Sequence, residues 1–401
     1  METQRYDVLI LGGGQAARRA AEGARQADAA ISIALVGEEP HLPYERPPLS
    51  KQALADPDAG GRGDAYGPGW YADRRIETRL ATRVTAIRPD SRTVETDSGE
   101  TIGWGRLIIA TGSRPRRIDF GVNPERLHIL RTLDDARRLS PRLAPGRRIA
   151  IVGAGFIGLE VAAAARAKGT EVDVFEAAPH AMARVLPAFL TAPIEARHRA
   201  EGVGLVFGGA AEPELLQRYD EVVVGIGVLP NVELAEACGI SCADGILVDE
   251  FGRTNLPEVF AAGEVVRAPG TGGRGAIRRE SWQMAETQAY CVGLTAGGTL
   301  TAYREIPWFW SDQYDLNIQV LGDLTGEPEW VVRGVPSSDT FTAFAVVDGE
   351  VRGVFALNSG RDIAGARRLM SRGIRPSPQE LADPSVGWNK LLASPGLVQA
   401  T

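Results

Sequence analysis

Two glycine clusters have the spacing that brings a main chain against an anion. The first reads Gly12, Gly13, Gly14 and then Ala17; the second reads Gly153, Gly155 and Gly158. In such a turn the first glycine permits the tight bend, the second admits a pyrophosphate, and the third lets the following helix pack on the preceding strand. The free N–H groups at the helix start then face the anion. About twenty residues beyond each cluster stands a carboxylate, the position from which a ribose 2′-hydroxyl is bonded. These carboxylates are Glu38 or Glu39 after the first cluster and Glu176 after the second. Ala17 occupies the place of the first cluster's third glycine, so its methyl must be packed around.

The elements that must position these residues are legible around them. Tyr6 to Leu11 reads as a strand, an alanine-rich helix runs to about Gln26, and Ile31 to Val36 is the next strand. Arg148 to Val152, a helix from Phe156 to Lys168, and Glu171 to Phe175 repeat the arrangement. Strand, glycine turn, helix, strand is the context in which the spacing means dinucleotide binding. Glu176 is followed by Ala177 and Ala178, with Arg184 the nearest downstream arginine. A 2′-phosphate there meets a negative charge, so the second cradle is expected to prefer NADH to NADPH. The first cradle admits either a second nicotinamide nucleotide or a flavin. Two later segments favour flavin: Arg106 to Ser113 (RLIIATGS) and Glu258 to Val265 (EVFAAGEV) are apolar strands ending in small-residue turns. Such ends lie on the ligand side of a parallel sheet, where Glu264 is an acceptor for ribityl hydroxyls.

Composition narrows the remaining classes. The 401 residues are 44% hydrophobic and 24% charged, which is globular and too long for one ordinary core. Lys plus Arg is 44 against 51 Asp plus Glu, a formal charge of −7, which argues against nucleic acid. Cys238, Cys242 and Cys291 form no disulfide framework, and the absence of any earlier cysteine argues against a redox pair of the disulfide-reductase kind. His41, His128, His180 and His198 are scattered without metal-ligand spacing, so no metal site is expected. No apolar run reaches the roughly 20 residues that span a bilayer. Met1 to Asp7 carries no basic region ahead of an apolar stretch, so the expected location is cytoplasmic.

Seven blocks then carry a resemblance: GGGQAARRAAEGAR, PYERPPLSK from Pro43 to Lys51, LIIATGSRPR, IVGAGFIGLEVAA, VVVGIGVLPN, GRTNLPEVFAAGEV and PWFWSDQYDLNIQ. Together, in order and over nearly the whole chain, they resemble the FAD-dependent ferredoxin reductases that supply Rieske aromatic-ring dioxygenases and bacterial cytochromes P450. The resemblance implies an α/β fold with two Rossmann-like domains, for FAD and NAD, plus a C-terminal α+β domain. The FAD domain would comprise 1–113 and 245–316, the inserted NAD domain 114–244, and the C-terminal interface domain 317–401. It implies hydride transfer from NADH to FAD N5, then single electrons to a [2Fe-2S] ferredoxin. The expected partners are that ferredoxin and NADH, without nucleic acid or membrane, for a monomer or weak homodimer. A redox-sensing flavoprotein resembling apoptosis-inducing factor is the alternative.

Matched residue by residue, the resemblance assigns Gly12, Gly14, Gln15, Ala16, Glu38, Arg46, Lys51, Val84, Ala110, Thr111, Gly112, Gly263 and Glu264 to the flavin. Glu280, Ser281 and Trp282 match its segment at the flavin edge. Arg131, Gly153, Gly155, Phe156, Ile157, Gly158, Glu176 and Gly227 complete the cofactor contacts. Lys51, Glu160 and Trp282 are the candidate catalytic residues, with Lys51 near the flavin and Glu160 near the nicotinamide. Two departures stand out: Glu264 replaces the family's usual aspartate, and the segment between Val203 and Val222 has lost much of the usual hairpin, which is expected to leave NADH binding intact. For an acidic ferredoxin, Arg361, Arg367, Arg368, Arg372 and Arg375 offer a local basic field, and Arg304 with Trp308, Phe309 and Trp310 an aromatic approach.

Overall fold

A computed structural model describes residues 3–56, 66–270 and 275–393. The chain divides into two compact units, one of 1–48, 61–115 and 228–305, the other of 49–60, 116–227 and 306–401. The extreme end of the C-terminal segment, 394–401, lies outside the described residues.

The first unit is built on a seven-stranded sheet. Its order is Ile76–Arg79, Ile33–Val36, Arg5–Leu11, Thr101–Ile109, Thr93–Thr96 and Val84–Arg88, with Val259–Ala261 also paired to Thr101–Ile109. The strands around the glycine turn run parallel; the 84–88 and 93–96 pair is antiparallel. Val8, Leu9, Ile10 and Leu11 are all buried, the unbroken apolar run that a parallel strand covered on both faces requires. The helix Gln15–Ala27 lies so close to Ala289–Ala296 that a Cβ on Gly293 would stand 2.1 Å from Ala20 O. The small residues of the first helix thus serve a helix–helix contact as well as the turn. The strands Ser113–Pro115 and Val228–Pro230 pair antiparallel near where the chain leaves and re-enters this unit.

The second unit holds a five-stranded parallel sheet ordered Val203–Phe207, Glu171–Glu176, Arg148–Val152, Glu221–Val224 and Leu127–Ile129. Between Val203–Phe207 and Glu221–Val224 there is only the short helix Pro213–Leu216, so the hairpin that the sequence reading expects to be lost is absent from this stretch. The parallel sheet remains continuous without it because Glu221–Val224 pairs directly with Arg148–Val152. The same unit carries an antiparallel sheet ordered Trp308–Gln313, Leu316–Gly322, Glu350–Leu357, Phe341–Val347 and Glu329–Gly334. The helix Gly360–Ser371 buries Ile363, Ala366 and Leu369 against it. Among the described residues, no helix is long and apolar enough to cross a membrane.

Candidate functional site

In the first unit the turn after Arg5–Leu11 is forced to be glycine. Gly12 has φ 136°, and a Cβ there would stand 2.2 Å from Ala110 O. Gly14 caps the helix Gln15–Ala27 in extended conformation and its carbonyl accepts from Arg18 N at 3.2 Å, so the preceding N–H groups are left toward the turn. Ala17 is fully buried: the methyl is accommodated where the fingerprint has glycine. The Arg46 guanidinium reaches within 4.0 Å of the Cβ position of Gly14. Glu39 holds it at 2.8 Å, and the Tyr44 hydroxyl accepts from it at 3.1 Å. Glu264 adds a favourable charge to the same arginine.

The other flavin-side residues gather around this turn. Gly112 has φ 65°, Thr111 Oγ1 donates to Asn231 O at 2.8 Å, and Asn231 Nδ2 donates back to Thr111 O at 2.9 Å. Gly263 has φ 81° and faces Ala16; its N–H donates to Gln288 Oε1 at 2.8 Å. Gln288 ends a π-helical turn, Met284–Gln288, whose Glu286 accepts from the side chains of Gln15 and Arg18. A π-turn at this position fits a functional role. The Gln15 side chain is therefore committed to protein, and only its backbone is left for a cofactor.

The second unit repeats the cradle with a stricter third glycine. A Cβ on Gly158 would stand 2.0 Å from Gly153 O. Glu176 turns back into the loop: Oε2 accepts from Ala154 N at 2.8 Å and Oε1 from Ala178 N at 2.9 Å. Arg184 lies against Gly227, its guanidinium 3.2 Å from the Cβ position, and Ile157 stands exposed on the first turn of the helix Phe156–Ala167. Phe156 packs edge-on against Phe309.

That helix also carries Glu160, 3% exposed, toward the interior. Lys51 Nζ donates to its Oε2 at 2.8 Å, the Ser50 hydroxyl donates to the same oxygen, and Ser311 Oγ donates to Oε1 at 2.6 Å. Two prolines, Pro47 and Pro48, open the turn Pro47–Ser50 that delivers Ser50 and Lys51. The thiols offer no competing chemistry: burial pushes all three up, Cys242 to about 11, which leaves them weak nucleophiles.

The pyridine nucleotide-disulphide oxidoreductase family matches residues 6–289, and a reductase C-terminal family matches 308–392. The ferredoxin–NAD(+) reductase component of the anthranilate 1,2-dioxygenase system of Burkholderia cepacia is 44% identical, covering 96% of this chain and 98% of that protein. Rhodocoxin reductase of Rhodococcus erythropolis is 38% identical over 94% and 92%. The chain belongs to the FAD-dependent ferredoxin reductase family. Among solved structures, the ferredoxin reductase for the CYP199A2 system of Rhodopseudomonas palustris has 35% identity and a TM-score of 0.90, covering 96% of this chain and 100% of that one. Putidaredoxin reductase, in its covalent complex with putidaredoxin, has 29% identity and a TM-score of 0.91, covering 98% and 99%.

Within this ferredoxin reductase, the expected residues fall into separate environments. Gly12, Gly14, Ala16, Arg46, Ala110, Gly263 and Glu264 converge in the first unit. Glu38 is 68% exposed and pairs with Arg83, whereas its neighbour Glu39 turns inward to hold Arg46. Val84 packs beside the core of this unit, and Glu280 pairs with Arg278 at 2.8 Å. Ser281 Oγ accepts from Met284 N at 3.3 Å, and Trp282 is half-buried. In the second unit, Arg131 N donates to the capping Asp135. Sequence reading gave Glu39 no part in holding Arg46 and assigned no role to Gln288, Ser50, Ser311 or Gln313. Ser311 and Gln313 had a signal: two polar residues at i and i+2 on a strand otherwise rich in aromatics share one face.

Proposed function

We propose that this protein binds FAD in the first cradle and NADH in the second, and that it passes electrons from NADH to a [2Fe-2S] ferredoxin. The flavin, when bound, supplies the conversion of a two-electron hydride into successive single electrons. The observation that carries the assignment is the pairing of two unlike glycine cradles in one chain, the first with an arginine at its helix mouth and the second with a carboxylate.

The residues divide the work. The first helix N-terminus and Arg46 neutralise a pyrophosphate, and Glu39 and Tyr44 keep the guanidinium aimed at it. Gly12 lets the turn pass close against Ala110 O, and Gly14, whose Cβ position has Arg46 as its neighbour, leaves room for the phosphate. Glu264 serves the ribityl hydroxyls, its extra methylene accommodated beside Arg46. Glu176 accepts from the adenosine ribose and excludes a 2′-phosphate. Glu160 fixes the Lys51 ammonium, which the family resemblance assigns to the flavin edge, where a positive charge favours arriving negative charge. The dioxygenase and P450 systems that the relatives serve support a ferredoxin of that class as the partner of this chain. The proposed domains are the flavin-binding 1–113 and 245–316, the NAD-binding 114–244 and the C-terminal interface 317–401.

A visible spectrum of the purified protein, followed by anaerobic NADH titration, tests the reading. Flavin bands that bleach with one equivalent of NADH, and a [2Fe-2S] ferredoxin that is then reduced, are the expected result. Flavin that NADH leaves oxidised would overturn it.

A further inference from the structure

The hydrogen bonds on Glu160 extend well beyond Lys51. Ser311 Oγ, which donates to Glu160 Oε1, accepts from Gln313 Nε2 at 3.1 Å. Gln313 Oε1 lies 2.9 Å from His198 Nε2, and His198 Nδ1 lies 3.4 Å from the Tyr314 hydroxyl. Ser311, Gln313 and His198 are buried without measurable exposure. Their elements are distant in sequence: His198 ends the helix Ala188–Ala200, Ser311 and Gln313 share the inward face of Trp308–Gln313, and Glu160 lies on Phe156–Ala167.

The chemistry of the donors gives this chain a direction. A serine hydroxyl has one proton, and Ser311 gives it to Glu160, so its oxygen accepts the Gln313 amide hydrogen. Gln313 then presents its carbonyl oxygen to His198, which must donate from Nε2. A neutral imidazole with its proton on Nε2 accepts at Nδ1, which is where the Tyr314 hydroxyl points. Every proton therefore runs from Tyr314 through His198, Gln313 and Ser311 to Glu160. Burial pushes the His198 imidazole down and the Tyr314 phenol up, both keeping the group in the form the chain needs. The charged residues facing His198 are Arg197 and Glu201, of opposite sign, and Arg197 is itself paired with Glu201 and Asp315. Tyr314 sits at φ 56° in the turn between two strands, its ring edge-on to His198 with centroids 5.0 Å apart. For a bulky residue that backbone conformation is costly, and the aromatic contact holds it.

We propose that His198, Gln313 and Ser311 are positioning residues that fix the Glu160 carboxylate, and through it Lys51, for hydride transfer to the flavin. Without the His198 donor the Gln313 amide is free to flip; its oxygen then takes the Ser311 proton, and Glu160 loses a donor. The proposal rests on the reductase reading above.

The test uses the holoenzyme and stopped-flow reduction by NADH. His198→Phe and Gln313→Leu should each lower the limiting rate of flavin reduction about tenfold, the effect of one lost buried hydrogen bond, with NADH affinity unchanged. His198→Gln keeps an N–H donor and should restore most of the rate. In a Glu160→Ala background, His198→Phe should slow reduction no further, because its route to the site is already cut. An equal slowing in both backgrounds, or a stability loss with no change in rate, would overturn the proposal. Imidazole 15N shifts provide a readout independent of turnover: His198 should be the neutral Nε2–H tautomer, and an Nδ1–H tautomer would also overturn it. If wild-type flavin is not reduced by NADH, the reductase reading fails instead, and the tautomer measurement still decides whether the chain exists.

Discussion

Replacing Glu176 with glutamine tests the proposal that its charge discriminates between NADH and NADPH. The carboxylate already accepts from Ala154 N and Ala178 N, so it is held at the mouth of the second glycine turn and is not free to swing away. Glutamine keeps one acceptor oxygen for this loop but removes the negative charge. For two unit charges about 4 Å apart, an effective dielectric near 20 gives about 4 kcal/mol. Glu176 is only half-buried, so solvent and salt reduce this to about 1–2 kcal/mol, or roughly 5- to 30-fold. Loss of a charged acceptor for the 2′-hydroxyl removes about a further 1.5 kcal/mol from NADH binding. Wild-type enzyme should favour NADH by about a hundredfold in kcat/KM, and Glu176→Gln, which removes both contributions, should bring the ratio to within a few-fold of unity. The assay is steady-state reduction of ferricyanide with each nucleotide at two ionic strengths, and the narrowing should be larger at low salt. Glu176→Ala is the less clean variant, because it strips the two N–H groups of their acceptor and loosens the turn for both nucleotides. A wild-type enzyme that uses NADPH as well as NADH, or a ratio unmoved by Glu176→Gln, would refute the reasoning.

Glu264→Asp should retain FAD, whereas Glu264→Ala should weaken it by about 1–3 kcal/mol through loss of a charged acceptor; flavin fluorescence released on dilution measures this, and unchanged affinity would remove Glu264 from the site. On the helix Gly360–Ser371, Arg367 is committed to Ile306 O and Arg375, beyond the helix, pairs with Glu350, so the solvent-facing cations are Arg361, Arg368 and Arg372, spaced to share one face. Reversing these three to glutamate should slow reduction of an acidic ferredoxin about tenfold at low salt, leaving NADH–ferricyanide turnover unchanged; equal loss of both activities would mean damage to the fold. His198 is held below its usual value of about 6.5 by burial, so below that pH the unfolded chain takes up a proton that the folded one resists. Its contribution to stability is present above about pH 6.5 and is lost as pH falls, at no more than about 1.4 kcal/mol per pH unit. In urea titrations from pH 7 to 5, wild type should therefore lose stability faster than His198→Gln; parallel slopes would contradict this.

Much of the reductase was written locally in its sequence. Tyr6 to Leu11 and Arg148 to Val152 are apolar runs followed at once by glycines, because a strand buried on both faces and the turn after it are specified by adjacent residues. The strand Arg148–Val152 and the helix beginning at Phe156 fall where those residues predict. The replacement of the third glycine by Ala17 was equally readable, but whether its methyl fits depended on what packs there. Neighbours distant in sequence could not be read in that way. That Glu39, and not Glu38, faces Arg46 depends on how the chain turns after Ile33–Val36. Gly293 lies against Ala20, and Gly23 against Tyr290, only because the fold brings a segment far along the chain onto the first helix. Glu160 shows the difference most fully. Its helix position was plain from the glycine spacing, but its partners Ser50, Lys51 and Ser311, and behind them Gln313 and His198, come from segments separated by more than a hundred residues. Local periodicity sets which side of an element is buried; only the packing of separate elements decides which polar groups meet there, since each buried donor must find an acceptor within the fold.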